Sequence, residues 1–295
     1  MPDFFCSAFT TIIVGDVFTD GRFLLKILGS EKSCNLKKLI FYTTNRFDFG
    51  LSYSTNKRTD KIQFYNELRF IKTISNQLKT KIIFIQNNPW ESKYVDIKLG
   101  SPTHNFLNFT LIRSFGYSTL PTVDGISAKD KELPCFHDHP YFNELMLDAG
   151  IKVKLLDEMY GGPTVLSQYK DSFIALAFIT LTYQVSTMKI YENLYHGVVT
   201  YVPTPKFLRI LASLPGMEFS FIHDTYEIGN EWFQYIEYYN SELSKFFYFF
   251  DSFEELKKLM DNADVDPRNV REEGQKFWAN QRIKSTKQWK IVLEI

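Results

Sequence analysis

Short runs of β-branched and aliphatic residues alternate with segments of helical spacing through the N-terminal part of the chain. The apolar runs predict strands at residues 10–14, 39–42 and 81–85. The intervening spacing predicts helices at residues 21–25 and 61–77. Strands that alternate with helices are typical of a parallel sheet in an α/β domain.

The rest of the chain continues this alternation. Further strands are predicted at residues 109–113, 151–156, 173–178, 198–203 and 246–250. Further helices are predicted at residues 141–149, 207–214, 229–242 and 269–295. Ser252 and Glu255 have the spacing of a capping box, which predicts that another helix begins there.

A segment of low hydrophobicity, residues 96–108, interrupts the pattern and predicts a domain boundary. The two domains would comprise residues 1–104 and 105–295. Each begins with a strand followed by a glycine-containing turn or a polar loop and a helix. The expected fold class is therefore α/β with two Rossmann-like domains.

Composition and charge restrict the functional classes. The chain has 295 residues, of which 44% are hydrophobic, enough for two domains with their own cores. Lys and Arg together number 34, as do Asp and Glu, and no consecutive basic block is present. This balance argues against a nucleic-acid partner and against a polybasic membrane anchor.

Cysteine usage and the apolar runs give an expected location. Cys6, Cys34 and Cys135 are widely spaced and odd in number, which favours neither a disulfide framework nor a zinc site. The first residues lack the pattern of a signal peptide, and the longest apolar run, residues 173–181, is too short to span a bilayer. We expect a soluble cytoplasmic protein with no transmembrane segment.

The most informative stretch is residues 183–203, where a helix is predicted from about Ser186 and a strand follows Gly197. Helical spacing places four polar residues on one face: Lys189, Glu192, Asn193 and His196. The opposite, buried stripe consists of Met188, Tyr191 and Tyr195. The helix N-terminus is suited to binding an anion. The alternative is an ordinary αβ unit with a solvated polar face.

This unit resembles the sugar-nucleotide signature of GT-B glycosyltransferases of the group 1 family, in their C-terminal donor-binding domain. In that signature a Glu, seven residues and a second Glu precede a small-residue turn and a short strand. Gln184, seven residues and Glu192 occupy these places here, followed by Gly197. The resemblance implies that Glu192 binds the ribose hydroxyls and that position 184 lies near the transferred sugar. Gln184 departs from the pattern, because an amide can bind a sugar hydroxyl but cannot act as a carboxylate base.

The resemblance also implies roles for other residues. Arg113, at the end of a predicted strand, matches the arginine that contacts the donor phosphates, and Lys129 or Lys131 could match a later lysine. The nucleotide would be bound by the residues around the start of the helix and by a glycine loop, namely Ser186, Thr187, Met188, Gly161 and Gly162. The charge of the leaving group would be stabilised by Arg113 and Lys189. C-terminal helices would pack back across both domains, and the N-terminal domain is short or truncated for this architecture.

Polar residues follow the predicted strands of the first domain and are candidates for the acceptor side. They are Asn45 and Arg46 after one strand and Asn88 after the next. An arginine there can bind a diphosphate or a carboxylate with two hydrogen bonds. The alternative is that Asn residues form turns. His137, in the run His137-Asp138-His139, is a further cleft candidate, because no additional ligand at a suitable spacing supports a metal site.

The expected function is transfer of a sugar from a nucleotide-diphosphate sugar to an unknown acceptor. By the resemblance it would be metal-independent and would retain the anomeric configuration, with no cofactor apart from the donor. A second possibility is a catalytically inactive GT-B-fold binding protein, since Gln184 replaces an acid. A doubly wound enzyme for another nucleotide is a third, although no complete G-x-G-x-x-G or Walker sequence occurs.

Overall fold

The computed structural model describes residues 4, 8–29, 35–44, 46–48, 51, 57–100, 106–114, 133–135, 140–155, 177–180, 188–196, 198–216, 231–261 and 267–295. The chain divides into two compact units, Met1–Arg113 and Ser114–Ile295. Each unit is of the α/β type and contains its own parallel sheet.

The sheet of the first unit has four described strands, β1 (Thr11–Asp16), β2 (Lys38–Thr43), β3 (Lys81–Gln86) and β4 (Thr110–Leu111). They are parallel and lie side by side in chain order. The first three confirm the predicted strands. Asp16 pairs with Thr43, and Thr43 pairs with Gln86, so these strands end at one common edge.

Three described α-helices accompany this sheet: α1 (Arg22–Leu28), α2 (Lys57–Ile74) and α3 (Pro89–Leu99). A 3-10 helix, Phe18–Gly21, precedes α1. The core between helices and sheet is aromatic, with ring centroids 4.9 Å apart for Phe18 and Phe41 and 5.7 Å apart for Phe41 and Phe84. Burial of these large rings is the main stabilising term of the unit.

Residues 96–108, predicted as a domain boundary, begin inside a helix, because residues 96–99 are the last turn of α3. Asn88 caps this helix by accepting a hydrogen bond from the Trp90 amide at 3.0 Å, and Gly100, with φ of 65°, ends it. Asp96 is buried in α3 and accepts a hydrogen bond from the Phe106 amide at 2.6 Å. The division of the chain therefore falls after Arg113 rather than after residue 104.

The sheet of the second unit has five described strands: β5 (Leu133–Cys135), β6 (Val153–Leu155), β7 (Ala177–Ile179), β8 (Val199–Pro203) and β9 (Phe247–Phe250). They are all parallel, in the order β6-β5-β7-β8-β9. β5 was not predicted. The other four lie within or beside the predicted apolar runs.

Five described helices belong to this unit: α4 (Pro140–Asp148), α5 (Met188–His196), α6 (Pro205–Ala212), α7 (Phe253–Asp261) and α8 (Pro267–Leu293). The capping box is confirmed, because the Glu255 amide donates to Ser252 Oγ at 3.1 Å at the start of α7. Gly150, with φ of 74°, follows α4 as predicted.

Helices cover both faces of this sheet. Asn193 of α5 donates to Thr200 of β8, whereas the next residue of β8, Tyr201, donates its hydroxyl to the Leu259 carbonyl of α7 at 3.4 Å. Successive strand residues point to opposite faces, so α5 and α7 lie on different sides. The second unit is therefore a doubly wound, Rossmann-like sheet.

The last helix, α8, packs on α5. A Cβ atom at Gly274 would lie 2.8 Å from the Leu194 carbonyl oxygen, so the two backbones approach as closely as only glycine allows. Gln275 donates to the Tyr195 carbonyl at 2.9 Å, and the rings of Tyr195 and Trp278 have centroids 4.7 Å apart. These contacts place α8 on the second unit.

The predicted helix at residues 229–242 is wrong where the structure describes it. Its place is taken by a 3-10 helix, Trp232–Tyr235, followed by turns. The amide of Ile236 donates to the Phe233 carbonyl, and the side chain of Asn240 accepts from two later amides. Aromatic residues have modest helix propensity, and burial of Trp232 and Ile236 favours the irregular path.

In the part of the chain that the structure describes, no helix combines the length and the apolar character needed to cross a bilayer.

Candidate functional site

The strand order of the second unit reverses between β5 and β7. β6 lies on one side of this pair, and β8 and β9 lie on the other. Cys135 of β5 pairs with Ile179 of β7, so both strands end at the same edge. In open α/β sheets, ligands bind outside the carboxyl ends of the strands at such a switch point.

The segments that follow these two strands in the sequence hold several predicted site residues. His137 follows β5, and Gln184, Ser186 and Thr187 follow β7. These four lie outside the described residues, as do Asn45, Gly161 and Gly162.

The helix α5 begins at Met188, after the segment that follows β7. Glu192 lies in its second turn and is 8% exposed, and its neighbour Asn193 is 4% exposed. Asn193 donates from Nδ2 to Thr200 Oγ1 at 3.2 Å. Of the predicted polar face, Glu192 and Asn193 are therefore buried rather than solvated, because α5 lies between the sheet and α8. Lys189 belongs to α5, but its side chain, like that of Met188, lies outside what the structure describes.

A buried hydrogen bond fixes α5 against the segment before β9. The Tyr191 hydroxyl donates to Glu237 Oε1 at 2.6 Å, and both residues are fully buried. A hydrogen bond is electrostatically stronger in a buried environment than in water. It prevents α5 from rotating about its own axis and thereby fixes the position of Glu192. Burial of Tyr191 confirms its predicted place on the buried stripe.

Asn143 is a candidate site residue that the sequence did not indicate. It lies in α4, the helix that follows β5, and is 7% exposed. Neither its Oδ1 nor its Nδ2 has a hydrogen-bond partner among the described residues. A buried amide without partners is unfavourable by about 1–3 kcal/mol for each polar group. Its position near the start of α4 makes it a candidate contact for a polar ligand at the switch point.

Arg113 belongs to the first unit. The strand that precedes it, β4, pairs with β3 through Ile85 and Thr110, and the Ile112 amide donates to the Gln86 carbonyl at 2.9 Å. The segment therefore completes the first sheet instead of beginning the second. The expectation that Arg113 ends the first strand of the donor domain is wrong, because long-range pairing assigns it to the first unit.

The two acceptor-side candidates that the structure describes both have structural partners. Nε of Arg46 lies 3.5 Å from Oδ1 of Asp48, and the Arg46 guanidinium lies 6.0 Å from the ring centre of Tyr94. Asn88 is 1% exposed, caps α3 and donates to Asn87 Oδ1 at 2.6 Å. For Asn88 the alternative explanation, a turn or cap residue, accounts for its contacts.

Asp48 and Glu91 form a buried acidic pair in the first unit. They follow strands β2 and β3 in the chain, and the sequence did not indicate them as site residues. Asp48 is fully buried. Its Oδ2 accepts hydrogen bonds from the hydroxyls of Tyr65 at 2.6 Å and Tyr94 at 3.3 Å. Lys61 Nζ lies 3.3 Å from the same oxygen. Asp48 is therefore stabilised as an ion by two cations and two hydroxyls.

Glu91 is the second acid of the pair. It is 1% exposed and accepts a hydrogen bond from the Phe47 amide at 3.3 Å. Burial, followed by the negative charge of Asp48, raises the pKa of Glu91 well above its usual range, although the Phe47 amide and Arg46 oppose the shift. Glu91 therefore holds its proton more strongly than an exposed glutamate does. The sequence signal for this pair is an acidic residue five positions after the end of each of two neighbouring strands, β2 and β3.

No cluster of three or more His, Cys, Asp and Glu side chains suited to a metal ion occurs among the described residues. The run at His137 falls outside them.

Comparison with known proteins gives no assignment. No protein-family model, no curated protein and no solved structure matches the chain significantly.

Proposed function

We propose that the chain is a glycosyltransferase of the GT-B type, which transfers a sugar from a nucleotide-diphosphate sugar to an acceptor. The observation that carries the proposal is the position of Glu192, on the helix that follows the switch-point strand β7. Tyr191 and Glu237 brace this helix on one side, and α8 packs against it.

In this proposal the second unit binds the donor. Glu192 accepts hydrogen bonds from the two ribose hydroxyls. Backbone amides at Ser186, Thr187 and Met188 bind the diphosphate at the helix N-terminus. Gly161 and Gly162 allow the backbone to approach the base, and Gln184 contacts the transferred sugar.

Departure of the nucleotide diphosphate places negative charge on its phosphate oxygens. Lys189 and the positive end of the α5 dipole stabilise this charge in the proposed mechanism. The reaction needs no metal ion in this scheme, and by the resemblance it retains the anomeric configuration. Arg113, as a residue of the first unit, has no assigned role in the donor site.

Asn143 extends the proposed site to the other side of the switch point. Its amide offers two donor hydrogens and an acceptor oxygen, which match the hydroxyls of a sugar or the oxygens of a phosphate. A ligand group in contact with Asn143 would remove the unfavourable burial of an unpaired amide.

A catalytically inactive binding protein with the same fold is the second possibility. Gln184 in place of an acid favours it, because an amide cannot take a proton from an acceptor hydroxyl. In that case the donor nucleotide binds without turnover.

The test is thermal unfolding with UDP, GDP and ADP and with their common sugar conjugates. A ligand at a hundred times its dissociation constant stabilises the protein by about 2.7 kcal/mol. Stabilisation by one nucleotide that is lost in Glu192→Gln, but kept in the exposed control Glu272→Gln, is the expected result. Release of nucleotide from the stabilising sugar conjugate then distinguishes the enzyme from the binding protein. No stabilisation by any nucleotide contradicts both.

A further inference from the structure

The charge of α8 is unbalanced although the whole chain is neutral. Between Gly274 and Leu293 the helix has five basic residues and no acidic one. The basic residues are Lys276, Arg282, Lys284, Lys287 and Lys290. They are spaced along a helix rather than consecutive, so inspection for a basic block does not reveal them.

One side of α8 is buried in the second unit. Gly274, Trp278, Gln281 and Ser285 follow each other at intervals of three or four residues and are all buried. Gln281 donates to Ser285 Oγ at 2.8 Å within this side. The opposite side is exposed, which leaves a second helix face available for contacts outside the unit.

This exposed face is apolar as well as basic. Ile283, Ile291 and Ile295 are exposed by 67%, 68% and 83%, and they are the three most exposed large hydrophobic side chains among the described residues. Ile283 and Ile291 lie on α8, and Ile295 follows its end. Isolated exposed hydrophobic residues are ordinary, but three within thirteen residues form a pattern.

Lysines alternate with these isoleucines. At 100° per residue, Ile283, Lys284, Lys287, Lys290 and Ile291 fall within an arc of about 120°. We call these five residues the lysine–isoleucine face. Its three lysines form no salt bridge with any described residue, so their charges are available to a partner.

We propose that the lysine–isoleucine face binds the surface of an anionic lipid bilayer, with α8 lying parallel to the membrane plane. The isoleucine side chains enter the boundary between headgroups and acyl chains, and the lysines bind the lipid phosphates and carboxylates. Lysine suits this position because its aliphatic stem follows the apolar side chains while the ammonium group stays in the headgroup layer.

The alternation of apolar and basic residues favours a lipid surface over a nucleic acid. A phosphate backbone attracts lysines but gives the exposed isoleucines no apolar surface to contact, and base stacking requires aromatic side chains. The helix lies on the bilayer rather than across it, because its other side is committed to the core of the second unit.

Flotation of the full chain with lipid vesicles tests the proposal. We expect binding to phosphatidylcholine vesicles that contain about 30% phosphatidylserine and little binding to pure phosphatidylcholine. The variant Lys284→Gln/Lys287→Gln/Lys290→Gln should bind the anionic vesicles about a hundredfold less strongly, since each lysine contributes roughly fivefold. The control Lys206→Gln/Lys257→Gln/Lys258→Gln removes three exposed lysines of the same unit and should bind like the wild type.

A second variant tests the apolar contribution. Ile283→Ser/Ile291→Ser should weaken binding to anionic vesicles while the salt dependence of the remaining binding is kept. Circular dichroism should show unchanged helix content, because both side chains are exposed. Wild-type protein that ignores anionic vesicles overturns the proposal and favours an acidic protein as the partner of this face. Equal binding by the two triple-lysine variants overturns it as well.

Discussion

The Tyr191 hydroxyl and the Glu237 carboxylate form a 2.6 Å hydrogen bond inside the second unit, where both side chains are fully buried. The bond joins the helix with the proposed donor-binding Glu192 to a segment of turns that precedes the last strand. Two parts of the chain that are distant in sequence are thereby held in one orientation. The bond makes α5 a rigid support for a ligand contact.

Removal of this hydroxyl should destabilise the second unit. Tyr191→Phe keeps the packing of the ring but leaves the buried Glu237 oxygen without this hydrogen bond, which costs about 1–3 kcal/mol. Unfolding in urea, followed by tryptophan fluorescence, measures the change. Tyr235→Phe, at a partly exposed ring outside this contact, is the control and should unfold like the wild type. Equal stability of both variants would show that the bond does not hold α5.

Glu91 should make the stability of the first unit depend on pH. Its pKa is raised in the folded protein above the usual value of 4.5, so the folded state keeps a proton that the unfolded chain releases. The free energy of unfolding should therefore fall as pH rises above that value, by up to about 1.4 kcal/mol per pH unit for one proton. The loss stops once the pH exceeds the folded pKa.

Glu91→Gln should remove this pH dependence, because an amide stays neutral at every pH and can still accept the Phe47 hydrogen bond. The variant should match the wild type near pH 4 and exceed its stability increasingly towards neutral pH. Urea unfolding across this range measures the difference, with the exposed Glu144→Gln as control. A variant whose stability parallels that of the wild type at each pH would sink the assignment of Glu91 as a neutral acid.

Asp48 is the acidic partner of Arg46 and Lys61. Asp48→Asn leaves Arg46 and Lys61 without their buried counter-charge, and loss of one partner from a buried ion pair costs about 3–5 kcal/mol. The first unit should unfold at markedly lower urea concentration, whereas Asp20→Asn, at an exposed position, should change little. The variant should also show a smaller pH dependence, because the charge of Asp48 is the second cause of the Glu91 shift. Wild-type stability of Asp48→Asn would contradict the ion-pair assignment.

The strands of the first unit could be predicted because their apolar runs are short and β-branched. Residues such as Ile40 and Ile85 are fully buried, and this burial is what the pattern reports. Helix α3 could not be predicted, because its pattern of apolar and polar residues does not report its burial. Its buried residues include Glu91 and Asp96, so polar side chains occupy the inward face and no amphipathic pattern remains.

The candidate site could be predicted only in part. Local spacing is sufficient to place Glu192 on a helix after a strand, and the structure has it there. The unit to which Arg113 belongs could not be predicted. The sheet that a strand joins depends on its pairing with a distant segment, and here Thr110 pairs with Ile85. The reversal of strand order between β5 and β7 is likewise a property of the whole sheet.

Close packing of α8 on α5 gives the last prediction. In Gly274→Ala the new Cβ atom would lie 2.8 Å from the Leu194 carbonyl oxygen, and a backbone atom in a packed helix cannot move aside cheaply. The helices must separate, which should destabilise the second unit by about 1–3 kcal/mol despite the better helix propensity of alanine. Asn280→Ala, on the exposed side of α8, gains propensity without a clash and should be neutral or slightly stabilising. Urea unfolding compares the two variants, and a Gly274→Ala protein as stable as Asn280→Ala would show that α8 does not approach α5 this closely.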